Sequence, residues 1–123
     1  MQLTEHLPGD YHVVRQIKPD SIQIDQQRYS ASLILGARLL ETDWPVRAYD
    51  DLTDATIEPL LAHRPEVVLL GHGSHQSFPP VEIQRAFLRA GVGLECMTLD
   101  AAARTFNVLM SENRRALAGF ILP

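Results

Sequence analysis

The chain changes its hydrophobic rhythm partway along. Through its first third, short runs alternate apolar and polar positions: "YHVVRQI" (11–17), "DSIQID" (20–25) and "RYSASLIL" (28–35), rich in β-branched and aromatic residues and parted by "KPD" and "QQ". Period-two alternation broken by turn residues predicts an antiparallel meander. In its last run Tyr29, Ala31, Leu33 and Leu35 share a face, which should pack on the core. A further extended piece is expected through "ARLLETDWPV", with Pro45 marking an edge or an end.

Beyond residue 50 the period lengthens. A helix is expected over about 53–63, capped by Thr53 or Thr56, with Ile57, Leu60 and Leu61 as its apolar stripe. Pro59 should delay its regular part, because proline is comfortable only in a first turn. "EVVLLG" (66–71) is apolar at consecutive positions, as in a strand covered on both faces. Ile83, Ala86, Phe87 and Ala90 then recur at helical spacing, with Pro80 suited to the first turn and Gly91 to the stop. "GLECMT" follows as a second covered strand and completes a β-α-β unit. In "TLDAAARTFNVLMSENR" the stripe is Ala102, Ala103, Phe106 and Leu109 or Met110; Thr98 is placed to cap and Asp100 to meet the helix dipole. "ALAGFIL" closes the chain as a strand ending at Pro123. Antiparallel strands followed by alternating strand and helix predict an α/β fold with a mixed sheet.

Length and composition narrow this picture. The 123 residues, 46% hydrophobic and 21% charged, suit one α/β domain over 1–123. A net charge of -4 without a basic cluster speaks against nucleic acid as a partner. Cys96 has no second cysteine to pair with and lies in the apolar stretch "GVGLECM", as a buried small hydrophobe would. The opening "MQLTEHLPGD" lacks the basic and apolar regions of a leader, and no window approaches the ~20 apolar residues of a membrane-spanning helix. No stable membrane insertion is expected, and the cytoplasm is the expected location.

The candidate chemistry lies in "LLGHGSHQSFPP" (69–80), a glycine turn leaving the end of a covered strand, where open α/β sheets tend to bind ligands. Gly71 and Gly73 are followed by Gln76 where the dinucleotide fingerprint needs a third glycine, and no Lys-Ser or Lys-Thr pair completes a P-loop. Ser74 is flanked by His72 and Gln76 where a nucleophile elbow needs glycines. His72 and His75 lack a further ligand at metal-binding spacing. No catalytic residue, metal or cofactor is therefore assigned. One feature survives: helices starting near Pro80 and Leu99 should aim their free N–H groups at one rim, a favourable place for a carboxylate or phosphate. The plain alternative is that Ser77, Thr98 and water cap those donors. Arg104 and Asn107, three residues apart on one side of the last helix, are expected to wall the cleft. Alternatively, Arg104 pairs with Glu95 or Asp100, and Asn107 satisfies loop backbone.

"VVLLGHGSHQSFPP" and the chain from "GVGLECM" to the end resemble a family of small proteins known as domain of unknown function 498, whose members include the mitochondrial respiratory complex I assembly factor 3. The likeness is most specific in "ARTFNVLMSENR", through Arg104, Thr105, Phe106, Asn107, Glu112 and Arg114, and extends to Gly71, Gly73 and Pro79. Relatives replace the histidines of "GHGSH", so the resemblance assigns no shared role to His72 or His75. It implies three layers: a central mixed sheet, helices on one side and a smaller β-rich layer. It implies no enzymatic activity. The expected function is a non-catalytic, assembly-factor-like module that binds a protein partner, with a homodimer as a further expectation. The alternative is a weak enzyme or binding protein for an anionic metabolite. Its cleft would be built from Gly71, His72, Gly73, Ser74, Thr98, Arg104, Thr105 and Asn107.

Overall fold

In the computed structural model, which describes residues 10–75 and 77–123, the strands fall into two sheets. Residues 1–9, read above for a leader, and Gln76 of the glycine turn lie outside the described residues. β1 (Val14–Lys18), β2 (Ser21–Ile24) and β3 (Gln27–Tyr29) form the expected antiparallel meander. Its last run does not continue as one strand. β4 (Leu33–Leu35) leaves the meander and pairs antiparallel with β8 (Ala116–Ile121) in the second sheet. The expected common face of Tyr29, Ala31, Leu33 and Leu35 is therefore absent: Ala31 is exposed, while Leu33, Ile34 and Leu35 are all buried. A strand covered on both faces carries no alternation by which to recognise it. The extended piece expected after it shrinks to β5 (Leu40–Glu41).

The second sheet has the order β5-β4-β8-β6-β7, in which β6 (Val67–His72) lies parallel to both β8 and β7 (Gly93–Met97). The expected β-α-β unit is present, with β6 and β7 as direct neighbours and α2 (Val81–Ala90) between them in the chain. Alternate residues of the central strands feed two separate cores. Leu33, Leu35, Val67, Leu69, Ala118 and Phe120 pack with α3 (Leu99–Ser111) and the meander's Val14, Ile22 and Ile24. Ile34, Val68, Leu70, Leu117 and Ile121 face Trp44, Tyr49, α2 and α1 (Asp54–Ala62) on the other side. The central mixed sheet and the smaller β-layer are as expected. The helices are shared between the faces, with α1 and α2 on one and α3 beside the meander on the other.

Each helix shows what its sequence specifies. Thr53 Oγ1 accepts from Thr56 N–H at 3.2 Å while Thr56 Oγ1 accepts from Thr53 N–H at 2.8 Å, a reciprocal cap that starts α1 at Asp54. Pro59 consequently lies inside the helix and does not delay its start. On α2, Ile83 and Phe87 are buried and Gly91 ends the helix in the left-handed conformation at φ 72°, but Ala90 is exposed. Pro80 sits at the cap of α2 and not in its first turn. On α3 the expected stripe of Ala102, Ala103, Phe106 and Met110 is buried.

Candidate functional site

The glycine turn leaves β6 where the pattern placed it, yet its glycines serve packing. A Cβ on Gly71 would lie 2.7 Å from the Ala102 Cβ, so the bare position lets α3 approach the sheet. Gly73 has φ 66° and its carbonyl accepts from Leu99 N–H at 3.0 Å, which ties the turn to the start of α3. Thr98 Oγ1 accepts from Ala101 N–H at 3.2 Å, so the expected cap of α3 is in place. The cap of α2 is Pro80, without a side-chain hydrogen bond, and Ser77 does not fill that role. Because α2 and α3 pack on opposite faces of the sheet, their first turns do not share a cleft wall.

Of the remaining cleft residues, Arg104 and Asn107 line one shallow depression of about 170 Å³ between β1 and α3, together with Asp100. Asn107 clamps β1: its Oδ1 accepts from Val14 N–H and its Nδ2 donates to Val14 C=O, each at 2.9 Å. Its role is structural, as the alternative had it, but its partner is a buried strand residue and not exposed loop backbone. Arg104 is exposed, with no hydrogen bond or ion pair to Glu95, Asp100 or any other described residue. Thr105 is half-buried and Ser74 and His75 are exposed. A depression of about 240 Å³ lies between Lys18 of β1, Gly73, Ser74 and the start of α3, but the Asp100 carboxylate also lines it and opposes an anion there. Of the residues named by the family likeness, Arg114 forks onto Glu66 with two bonds of 3.0 Å and stands 3.8 Å from Glu112. This arrangement lies at the opposite, amino end of the parallel strands.

On the α2 face, His72 packs its ring 5.0 Å from that of Tyr49, whose hydroxyl hydrogen-bonds Cys96. His72 Nδ1 is buried without a protein partner among the described residues. Burial, then the neighbouring Cys96, pushes the Tyr49 hydroxyl well above the usual tyrosine range. Burial also raises the Cys96 thiol, with the Tyr49 bond opposing it. Both groups hold their protons at neutral pH, the reverse of an activated nucleophile.

Another feature was not singled out by the sequence. A groove of about 510 Å³ runs between α2 and β7, lined by Phe78, Val81, Arg85, Leu88, Leu94 and Cys96. Phe78 is 66%, Val81 54% and Leu88 79% exposed, an apolar rim that no described residue covers. Among the described residues β7 is an edge strand paired only with β6, so half of its N–H and C=O groups face outward beside the groove. The legible signal was Leu88, an apolar residue between Arg85 and Arg89, off the buried Ile83–Phe87 stripe.

A mixed sheet carrying two helices on one face, and a helix with a second small sheet on the other, defines a three-layer α/β fold. The chain belongs to the family described as protein of unknown function (DUF498/DUF598), which it matches over residues 14–121. It is similar to a Xanthomonas campestris protein solved by NMR, at 38% identity and TM-score 0.84, covering 99% of this chain and 92% of that one. It is also similar to a Bordetella pertussis protein described as a Mth938-like domain, at 28% identity and TM-score 0.80, covering 100% and 92% of the two chains. A Francisella tularensis subsp. holarctica (strain LVS) protein named "13 kDa major membrane protein" is 34% identical over 87 residues, 70% of this chain and 71% of that protein.

Proposed function

We propose that this chain is a non-catalytic protein-interaction module that holds a partner in the groove between α2 and β7. The observation that carries the reading is the uncovered apolar rim of Phe78, Val81 and Leu88 beside an unpaired strand edge, because contiguous exposed apolar surface marks interaction sites. The protonated Tyr49 and Cys96, and the use of Gly71 and Asn107 in packing, weigh against chemistry at the sheet's carboxyl edge. The name of the Francisella relative suggests a partner at a membrane. No helix among the described residues is long and apolar enough to cross one. The chain would then reach the membrane by holding a subunit of a membrane complex, in the manner of an assembly factor.

The test is in-cell photo-crosslinking from position 85, followed by identification of the adduct and binding measurements with that purified protein. Leu88 contacts little in its own fold, so Leu88→Glu should leave the thermal transition unchanged while weakening binding about tenfold or more. Adducts that survive Leu88→Glu undiminished, or that form only from the α3 face at Val108, would count against this site.

A further inference from the structure

Resting on that reading, we infer that the partner enters as an extended strand added to β7, with side chains alternating apolar and basic. The two sides of β7 differ in chemistry. Leu94 and Cys96 point toward α2, where the groove is apolar and Arg85 stands on its rim. Glu95 and Met97 point to the other face, and there Glu95 is exposed at the centre of the strand. Successive residues of an added strand alternate between these faces. Positions turned toward α2 would fill the groove with apolar side chains, and the position between them would set a lysine or arginine opposite Glu95. An acidic residue at the end of the segment nearest Arg85 completes the match.

The backbone supplies the reason for an extended partner. A helix or a flat lipid surface laid on the groove leaves the outward N–H and C=O groups of β7 without partners, whereas a strand takes them up as it fills the groove. A second copy of this chain fits less well. Glu95 is the middle residue of five in β7 and Arg85 stands midway along the ten of α2, so a two-fold antiparallel pairing brings each toward its own like charge. Slipping the register by two residues relieves Glu95 only by shortening an already short ladder.

The probe is a seven-residue peptide, acetylated and amidated, alternating valine and lysine, titrated into the intact chain while backbone amide resonances are followed. Saturable shifts are expected at Gly93–Met97 and along Val81–Leu88, with binding about five- to tenfold tighter than that of a valine–glutamate counterpart. Glu95→Lys, an exposed substitution, should reverse that preference. N-methylation of one of the two sets of alternate amides should abolish binding, and methylation of the other set should spare it. Equal binding of lysine and glutamate peptides, tolerance of both methylated sets, or shifts confined to other surfaces would overturn the inference. Sedimentation and vesicle binding separate its failure from that of the broader reading. A concentration-dependent dimer lost in Leu88→Glu would replace the strand partner with a second copy and keep the groove as a protein interface. Co-sedimentation with phosphatidylglycerol vesicles, lost in the same variant, would overturn both.

Discussion

The Asn107 carboxamide gives β1 what a neighbouring strand would have given it. One side chain satisfies both the N–H and the C=O of Val14, beside the irregularity that shifts the β1–β2 register between Val14 and Gln16. Val14 is buried in the core shared with α3, so these backbone groups have little access to water. Asn107→Ala therefore removes two bonds and strands two polar groups, and should lower stability by about 2–3 kcal/mol. Urea unfolding checks the magnitude, and faster amide exchange at Val14 checks the cause. An unchanged unfolding midpoint would mean that β1 is held by its pairing with β2 alone. Trp44 shows a comparable economy: its ring lies where a Cβ on Gly119 would come within 2.8 Å, and its Nε1 donates to Thr56 C=O at 2.9 Å. A single indole thus joins β8 to α1.

At the scale of elements, α1 carries an unresolved local conflict. Pro59 is the sixth of nine helical residues and cannot donate to the carbonyl four residues earlier, at Ala55. The reciprocal Thr53–Thr56 cap and the burial of Ile57 and Leu60 hold the helix despite this. Pro59→Ala should raise stability by about 1–2 kcal/mol, the helix gain less the stiffness that proline gives the unfolded chain. A lower midpoint in urea would show that the proline ring itself packs usefully against its neighbours. The same contrast explains what the sequence made legible. α2 and α3 announce themselves because each has one buried stripe and a local start or stop, Gly91 and Thr98. β4 does not, since burial on both faces erases its alternation and only β8, some 80 residues later in the chain, tells it which sheet to join. For the site, the position of the glycine turn was readable, but its purpose depends on Ala102 and the role of Asn107 on Val14, contacts that no local pattern encodes. The groove was hidden for a related reason: Leu88 looks like an ordinary helix residue until β7 is known to be an edge.

Across the whole molecule, the α2 face and the amino end of the central sheet differ in their response to pH. The α2 face encloses Tyr49 and Cys96, both shifted upward chiefly by burial, whereas the amino end of the sheet carries Glu66, shifted downward by its hydrogen bonds to Arg114. Glu66 contributes stability above the ordinary carboxylate range and loses it as pH falls through its lowered value. Being exposed, it contributes little. The alkaline side is the more informative. Above about pH 8.5 an unfolded chain releases the cysteine proton while the folded chain retains it, so the unfolded state binds fewer protons and stability falls as pH rises. Tyr49 extends the same decline above about pH 10. Unfolding in urea at intervals from about pH 7 to about pH 11 should therefore show a midpoint that is flat near neutrality and drops beyond the thiol range. Cys96→Ala should flatten the first part of that drop and leave the tyrosine part. Tyr49→Phe should instead push the thiol further up, because its hydrogen bond opposes the effect of burial, and should slow alkylation of Cys96 at pH 8. A Cys96 that reacts with iodoacetamide as fast as a free thiol in the folded chain would place it outside the shelter of α2.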